Sequence, residues 1–218
     1  MKRNAAIFDF DGTLVDGQAS ICAAMDRAFA VHGLPLPDRG VVRRIVGLSL
    51  VPGLRLLLPD HDEAMHLSVA EAYKDAFRTA REAGERSDPM FAGMREVLDG
   101  LRGTGWALGV ATGKSMRGLA FCLAEHGITD HFGTLQTSDQ HPSKPHPAML
   151  EAAMAELMAA PEECVMIGDT AYDIEMATAA GVHAIGVGWG YHAPTELVQA
   201  GADFVAGSPA ELTEYLGQ

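Results

Sequence analysis

A parallel α/β sheet interrupted by an inserted all-helical unit is the fold class that this 218-residue sequence predicts, on three observations. Short apolar runs recur, and each ends in small or polar residues that lead into helical spacing, as buried parallel strands do. Between the first and second of these runs lies a long stretch with helical periodicity and no convincing strand. Finally, 48% hydrophobic and 21% charged residues leave enough apolar chain to cover both faces of a sheet, and too little polar bias for disorder.

The first strand is Ala5-Ala6-Ile7-Phe8, stopped by Asp9, Asp11 and Gly12. From Gly17 to Ser87 the pattern is helical. Gly33-Leu34-Pro35-Leu36-Pro37-Asp38 reads as a helix stop, a bend and a new N-cap. Further on, Met65, Val69, Ala72, Ala76 and Ala80 recur at steps of three and four beside Tyr73 and Phe77, an apolar stripe that packs a small bundle. Lys74, Arg78 and Arg81, at i, i+4 and i+7, read as a solvated face of the same helix. Gly84 to Pro89 is the polar link back to the sheet. The next strands are Trp106 to Ala111, ending at Thr112-Gly113; Cys164 to Ile167, ending at Gly168-Asp169; and Ala184 to Val187, ending at Gly188. The expected organisation is a core of residues 1–16 and 88–218 with a cap of residues 17–87.

Sixteen Lys and Arg against 29 Asp and Glu give a formal charge of -13, which repels nucleic acid and anionic membrane surfaces, so neither is an expected partner. Cys22, Cys122 and Cys164 are odd in number and widely spaced, unlike a disulfide framework or paired zinc ligands. Lys2 and Arg3 precede only four apolar residues, too few for a signal peptide, and no later apolar run reaches membrane-spanning length. The expectation is a soluble, cytoplasmic protein, a monomer or small homo-oligomer.

Ligands of parallel α/β sheets bind at the carboxyl ends of the strands. There the sequence puts Asp9 and Asp11, then Thr112-Gly113-Lys114, then Asp169 with Asp173 one helical turn later. Four carboxylates converging on one crevice repel one another unless a hard divalent cation joins them, and Mg²⁺ is the simplest candidate. Lys144, the Thr112 hydroxyl and the N–H groups that follow it supply positive potential and donors suited to a phosphoryl group. Taken singly the pieces are weaker. Asp-x-Asp is often a polar loop, and Thr-Gly-Lys is more often a helix start with an exposed lysine.

In order along the chain, "FDFDGTLVD" (Phe8 to Asp16), "VATGK" (Val110 to Lys114), "KPHP" (Lys144 to Pro147) and "GDTAYDIEMA" (Gly168 to Ala177) resemble the four motifs of the haloacid dehalogenase superfamily. Within it, the sequence is most similar to phosphoglycolate phosphatase-like enzymes, whose helical cap follows the first strand of a Rossmann-like core. The resemblance implies Mg²⁺-dependent hydrolysis of a small phosphorylated metabolite through an aspartyl phosphate. Asp9 would be the nucleophile and Asp11 the general acid/base, while Thr112, Gly113 and Lys144 would hold the phosphoryl group. Asp9, the Asp11 carbonyl and Asp169 would bind the metal, with Asp173 in support. Arg43 or Arg44, in the cap, could pair with a substrate carboxylate such as that of phosphoglycolate.

Departures within the superfamily narrow the expectation. Its dehalogenases lack the second aspartate, which Asp11 supplies here. Its sugar-phosphate mutases carry a histidine and an arginine where this chain has Ile21 and Leu50, the latter after Gly47-Leu48-Ser49. A phosphosugar mutase and a non-catalytic phosphate or metal sensor are the alternatives. The segment "GVGWGYH" (Gly186 to His192) is similar to the family's Gly-Tyr loop, with Trp189 and His192 as variations.

Overall fold

The computed structural model describes residues 4–85 and 88–217; Lys2 and Arg3 of the N-terminal reading, and Arg86 and Ser87 of the link, lie outside them. Six parallel strands form one sheet among the described residues, in the order β3-β2-β1-β4-β5-β6. They are β1 (Ala5–Phe8), β2 (Ala107–Thr112), β3 (Thr134–Thr137), β4 (Cys164–Gly168), β5 (His183–Val187) and β6 (Phe204–Ala206). The chain builds outward from β1 to β3, then returns to lay β4 on the other side of β1. The β1/β4 junction is therefore the topological switch point, where a crevice opens at the carboxyl ends of both strands.

Burial explains why the strands read as continuous apolar runs. Alternate residues of β1 face opposite layers. Ala6 and Phe8 pack with Leu98 and Leu101 of α5 (Met94–Gly103), Leu119 and Leu123 of α6 (Met116–Glu125), and Leu212 of α10 (Pro209–Leu216). Ala5 and Ile7 pack with Met149 and Leu150 of α7 (Ala148–Leu157), Ile174 of α8 (Ala171–Ala179), and Leu197 of α9 (Pro194–Ala200). With both faces covered, alternation in polarity disappears.

The sequence pattern revealed four strands and missed β3 and β6, for a physical reason. Both are edge strands of four and three residues, and β3 reads Thr-Leu-Gln-Thr. β3 is largely polar, and β6, Phe-Val-Ala, is only three residues long, so neither leaves a hydrophobic run long enough to read as a strand.

Helices α1 (Gln18–Val31), α2 (Arg39–Ile45), α3 (Leu50–Leu57) and α4 (Glu63–Glu82) follow β1 and surround a hydrophobic cluster of their own, with Met25, Phe29, Leu54 and Val69 at its centre. Gly33 ends the first turn-out, and Asp38 caps α2 by accepting the Val41 N–H at 3.1 Å. The stripe on α4 packs into this cluster through Val69, with Met65, Ala72, Tyr73 and Phe77 at its edge. Where the chain leaves and rejoins the sheet, the two connections are tied together: Asp16 N–H donates to the Pro89 carbonyl and Phe91 N–H to that of Leu14.

Two separate cores predict separable stability effects. Leu54 is fully buried in the helical cluster, so Leu54→Ala should cost about 2–5 kcal/mol locally. Hydrogen exchange should accelerate across residues 18–82 while the sheet amides keep their protection; uniform loss of protection in both regions would show one cooperative core.

Candidate active site

Asp9 follows β1 and Asp169 follows β4, and the ladder that sets Phe8 against Ile167 puts Asp9 level with Gly168, one residue before Asp169, so both carboxylates reach the same edge of the sheet. Asp173, in the first turn of α8, completes a buried cluster in which one oxygen from each of Asp9, Asp169 and Asp173 lies within 4.8 Å of the others. Asp173 Oδ2 accepts the backbone N–H and hydroxyl of Thr170, at 3.0 and 2.8 Å. Asp169 accepts the Thr13 hydroxyl and the Tyr191 N–H, both at 2.8 Å. Gly12 makes this closeness possible: with φ +91°, it lies where an added Cβ would sit 2.2 Å from Asp169 Oδ2.

Lys144 is buried between two of the carboxylates. Its ammonium donates to Asp173 Oδ1 at 2.6 Å and stands 2.9 Å from Asp9 Oδ1. At Asp9 the contact is a buried ion pair, and the Phe10 N–H lies close enough to favour the charged carboxylate as well. Burial opposes the charge on Lys144, but Asp173 and Asp9 outweigh it and raise its pKa. Burial pushes Asp9 up to about 7, with Lys144 opposing and Asp173 adding to the rise. Asp169 is also raised well above the ordinary carboxyl value, first by burial and then by Asp9 and Asp173. Three crowded, buried carboxylates are a donor set that fits a small, hard divalent cation.

Asp11 points elsewhere. Both of its oxygens are engaged by the Lys114 ammonium, at 2.9 and 2.7 Å, with the side chains 11% and 10% exposed. The side chain of Asp11 therefore stands outside the carboxylate cluster, and only its carbonyl is left as the ligand that the family resemblance implies. Reading Lys114 as an exposed lysine at a helix start is also overturned. Ser115 is the N-cap of α6, and Lys114 turns inward over the Phe10 ring. Thr112, at the end of β2, is buried and accepts the Lys114 N–H at 3.3 Å.

The cap loop closes over this floor. A Cβ on Gly113 would meet the Leu48 and Gly47 carbonyl oxygens at 2.5 and 2.6 Å, and Ser49 N–H donates to the Ser143 hydroxyl at 2.9 Å. The bordering cavity, about 800 Å³, is lined by Asp9, Asp11, Thr112, Gly113 and Lys114 below and by Ile21, Val46, Leu48 and Leu50 above. Lys74 and Arg78 border its mouth, exposed and paired with Glu71 and Asp75 on their own helix.

Arg43 and Arg44 do not reach the cavity, which corrects the expectation that they meet a substrate carboxylate. Arg43 donates to the Gly190 carbonyl at 3.2 Å and lies over the Tyr191 ring, while Arg44 pairs with Glu196 at 2.7 Å. Both fasten the cap to the core. His192 serves the same join: its Nδ1 accepts the Ala171 N–H, which leaves Nε2 to donate to the Arg44 carbonyl at 3.3 Å. Trp189 donates its indole N–H to the Thr13 carbonyl at 3.1 Å, bracing the loop after β1. No sequence motif marked these two roles, because each partner is a backbone carbonyl remote along the chain.

The family profile described as haloacid dehalogenase-like hydrolase matches residues 6–187. The chain is 36% identical over 210 residues to the protein named probable phosphatase IndB of Dickeya dadantii (strain 3937), covering 94% of this chain and 90% of that one. It is 29% identical to a phosphoglycolate phosphatase of Vibrio vulnificus (strain YJ016), covering 96% and 94% respectively. In structure it resembles the crystal structure of a predicted phosphatase from Clostridium acetobutylicum, with a TM-score of 0.90, 26% identity and 99% of each chain covered.

The raised carboxyl at Asp9 sets a direction for stability. A carboxyl whose folded pKa exceeds its ordinary 3.8 stabilises the fold below that value, and the contribution is lost as pH rises toward about 7. In chelator, the melting temperature should therefore fall between pH 5 and pH 8. Millimolar Mg²⁺ should restore it most at pH 8, and Asp9→Asn should flatten the slope. A chelated wild-type protein with no such slope in thermal melts would contradict the charge crowding.

Proposed function

Because the chain belongs to the haloacid dehalogenase-like hydrolase family, we propose that it is a Mg²⁺-dependent phosphatase acting on small phosphate monoesters through a phosphoryl group carried on Asp9. The observation that carries this reading is the state of Asp9: buried at the end of β1, with the Lys144 ammonium 2.9 Å away. A buried carboxylate beside a fixed cation suits attack on an electrophile that brings its own negative charge. Phosphoglycolate is the first substrate to test, as the Vibrio vulnificus relative bears that name.

In this mechanism Asp9 attacks phosphorus in line and the bond to the ester oxygen breaks. Asp11 protonates the departing oxygen, then takes a proton from the water that attacks the phosphoaspartate; inorganic phosphate leaves and Asp9 is regenerated. Lys144 balances charge on the transferring oxygens, and Thr112 with the N–H groups after it orients them. Asp9, Asp169 and the Asp11 carbonyl would hold Mg²⁺, with Asp173 supporting the site. When bound, the ion would neutralise the carboxylates and withdraw charge from the phosphoryl group. The cap would limit access to small molecules and exclude bulk water. The mutase alternative loses support because apolar Ile21 and Leu50 line the cavity where that reaction's histidine and arginine would be expected.

Phosphate release measured over a panel of small phosphoesters should require Mg²⁺ and stop after exhaustive chelation. Asp9→Asn should be inactive on every ester. Asp11→Asn should lose about 10²–10⁴-fold on alkyl phosphates and less in the first step on an aryl phosphate, whose leaving group needs little protonation. Rapid quench should then show a burst of phenol and an acid-stable phosphoenzyme. Equal losses on both ester types with no burst would remove Asp11 from the acid/base role.

A further inference from the structure

The cavity above Asp9 is larger than a two-carbon ester needs. About 800 Å³ is room that ordinarily encloses a drug-sized ligand, so such an ester would leave most of it to water. Its charge is also unlike that of the chain. Among the described residues Arg55, Lys74, Arg78, Arg81, Lys114 and Arg117 line it, six of the sixteen Lys and Arg, against five of the 29 Asp and Glu. Two of those five acids, Asp9 and Asp11, belong to the floor, and Asp139 accepts the Met116 N–H at 2.7 Å. The outer cations differ in commitment. Arg81 lies over the Phe121 ring, 5.2 Å from its centroid, and Arg55 donates two hydrogen bonds to Glu63. Lys74 and Arg78, one turn apart on α4, have only exposed partners on their own helix, Glu71 and Asp75, and such pairs give way readily to a stronger anion. Arg117, exposed in the first turn of α6, pairs with no acid among the described residues.

We propose that Lys74, Arg78 and Arg117 form a second anion site, and that it holds the distal phosphoryl group of an organic bisphosphate whose other phosphate lies at Asp9. The proposal rests on the phosphatase reading above and adds a class of substrate larger than phosphoglycolate. Charge selects the distal group. A phosphoryl group brings nearly two negative charges and three acceptor oxygens to three cations, where a carboxylate brings one charge and two oxygens. The walls between floor and mouth carry the apolar side chains of Ile21, Val46, Leu48 and Leu50, so recognition by charge falls at the two ends. Length follows from the shape of the cavity. A space of 800 Å³ is at least about 11 Å across in its longest direction, and α4 flanks it from Lys74 to Arg81, a rise of about 10 Å. A bisphosphate on two carbons is too short to join Asp9 to that wall, whereas a longer one reaches it.

The test is a length series of α,ω-alkanediol bisphosphates, from two to eight carbons, each compared in kcat/KM with the alkyl monophosphate of equal length and halved for its two equivalent ends. In wild type the preference for the bisphosphate should be slight at two carbons and rise with length to roughly 10–100-fold, the worth of charge-assisted contacts to the second phosphate. Lys74→Gln, Arg78→Gln and Arg117→Gln combined should remove most of the preference for the long members, and Arg117→Gln alone part of it. A wild type with no preference at any length, or with one independent of length, would overturn the site. So would a triple variant that is folded by thermal melt and keeps the full preference. Alkyl phosphates ending in a carboxylate that match the bisphosphates of equal length would overturn the phosphoryl assignment. Failure of the underlying phosphatase reading looks different: wild type would release phosphate from no member of either series.

Discussion

Negative charge gathered at the carboxyl ends of β1 and β4 is the constraint on which the structure depends. Asp9, Asp169 and Asp173 present oxygens within 4.8 Å of one another, and two unit charges at that range repel by about 3–4 kcal/mol at an effective dielectric near 20. The protein answers with one buried ammonium and a few donors. Lys144 lies between Asp9 and Asp173, the Thr170 cap holds Asp173, and Thr13 and Tyr191 hold Asp169. Asp9 relies on its ion pair with Lys144. Much of the local backbone follows from this crowding, including the positive φ of Gly12 against Asp169.

The join between cap and core has a different physical character from either core. Each unit buries its own apolar cluster, while the contacts that bring the end of α2 and the segment after it onto the sheet ends are polar. They comprise Ser49 to Ser143, Arg43 to Gly190, the Arg44–Glu196 pair, and the Arg44 carbonyl shared by Tyr172 and His192. Water can replace such bonds at small net cost, and an exposed ion pair contributes about 0–1 kcal/mol. Breaking these contacts would expose polar groups rather than either apolar cluster.

How much was legible in the sequence depended on the range of the physics involved. Motif residues at the ends of β1, β2 and β4 were readable because strand ends in a parallel sheet share one edge, so Asp9, Thr112 and Asp169 converge whatever the details. The two edge strands were not, since Thr134–Thr137 is mostly polar and Phe204–Ala206 is too short to stand out from a loop. Arg43 and Arg44 looked like free cations of a cap loop. Their partners, Gly190 and Glu196, lie about 150 residues away, at separations for which one sequence carries no signal.

By itself, then, the sequence determined the alternation of buried strands and helices, the helical insertion after β1, and the residue types delivered to the sheet's carboxyl edge, because these follow from local periodicity and chain order. Only the tertiary structure decided which charges became partners. Lys144 joined Asp9 and Asp173, Lys114 turned inward to Asp11, and the two cap arginines turned away from the cavity. Those choices rest on distances of 2.6–3.2 Å between side chains and carbonyls brought together by folding; burial makes the two lysine pairings strong, while the exposed Arg44–Glu196 pair contributes little.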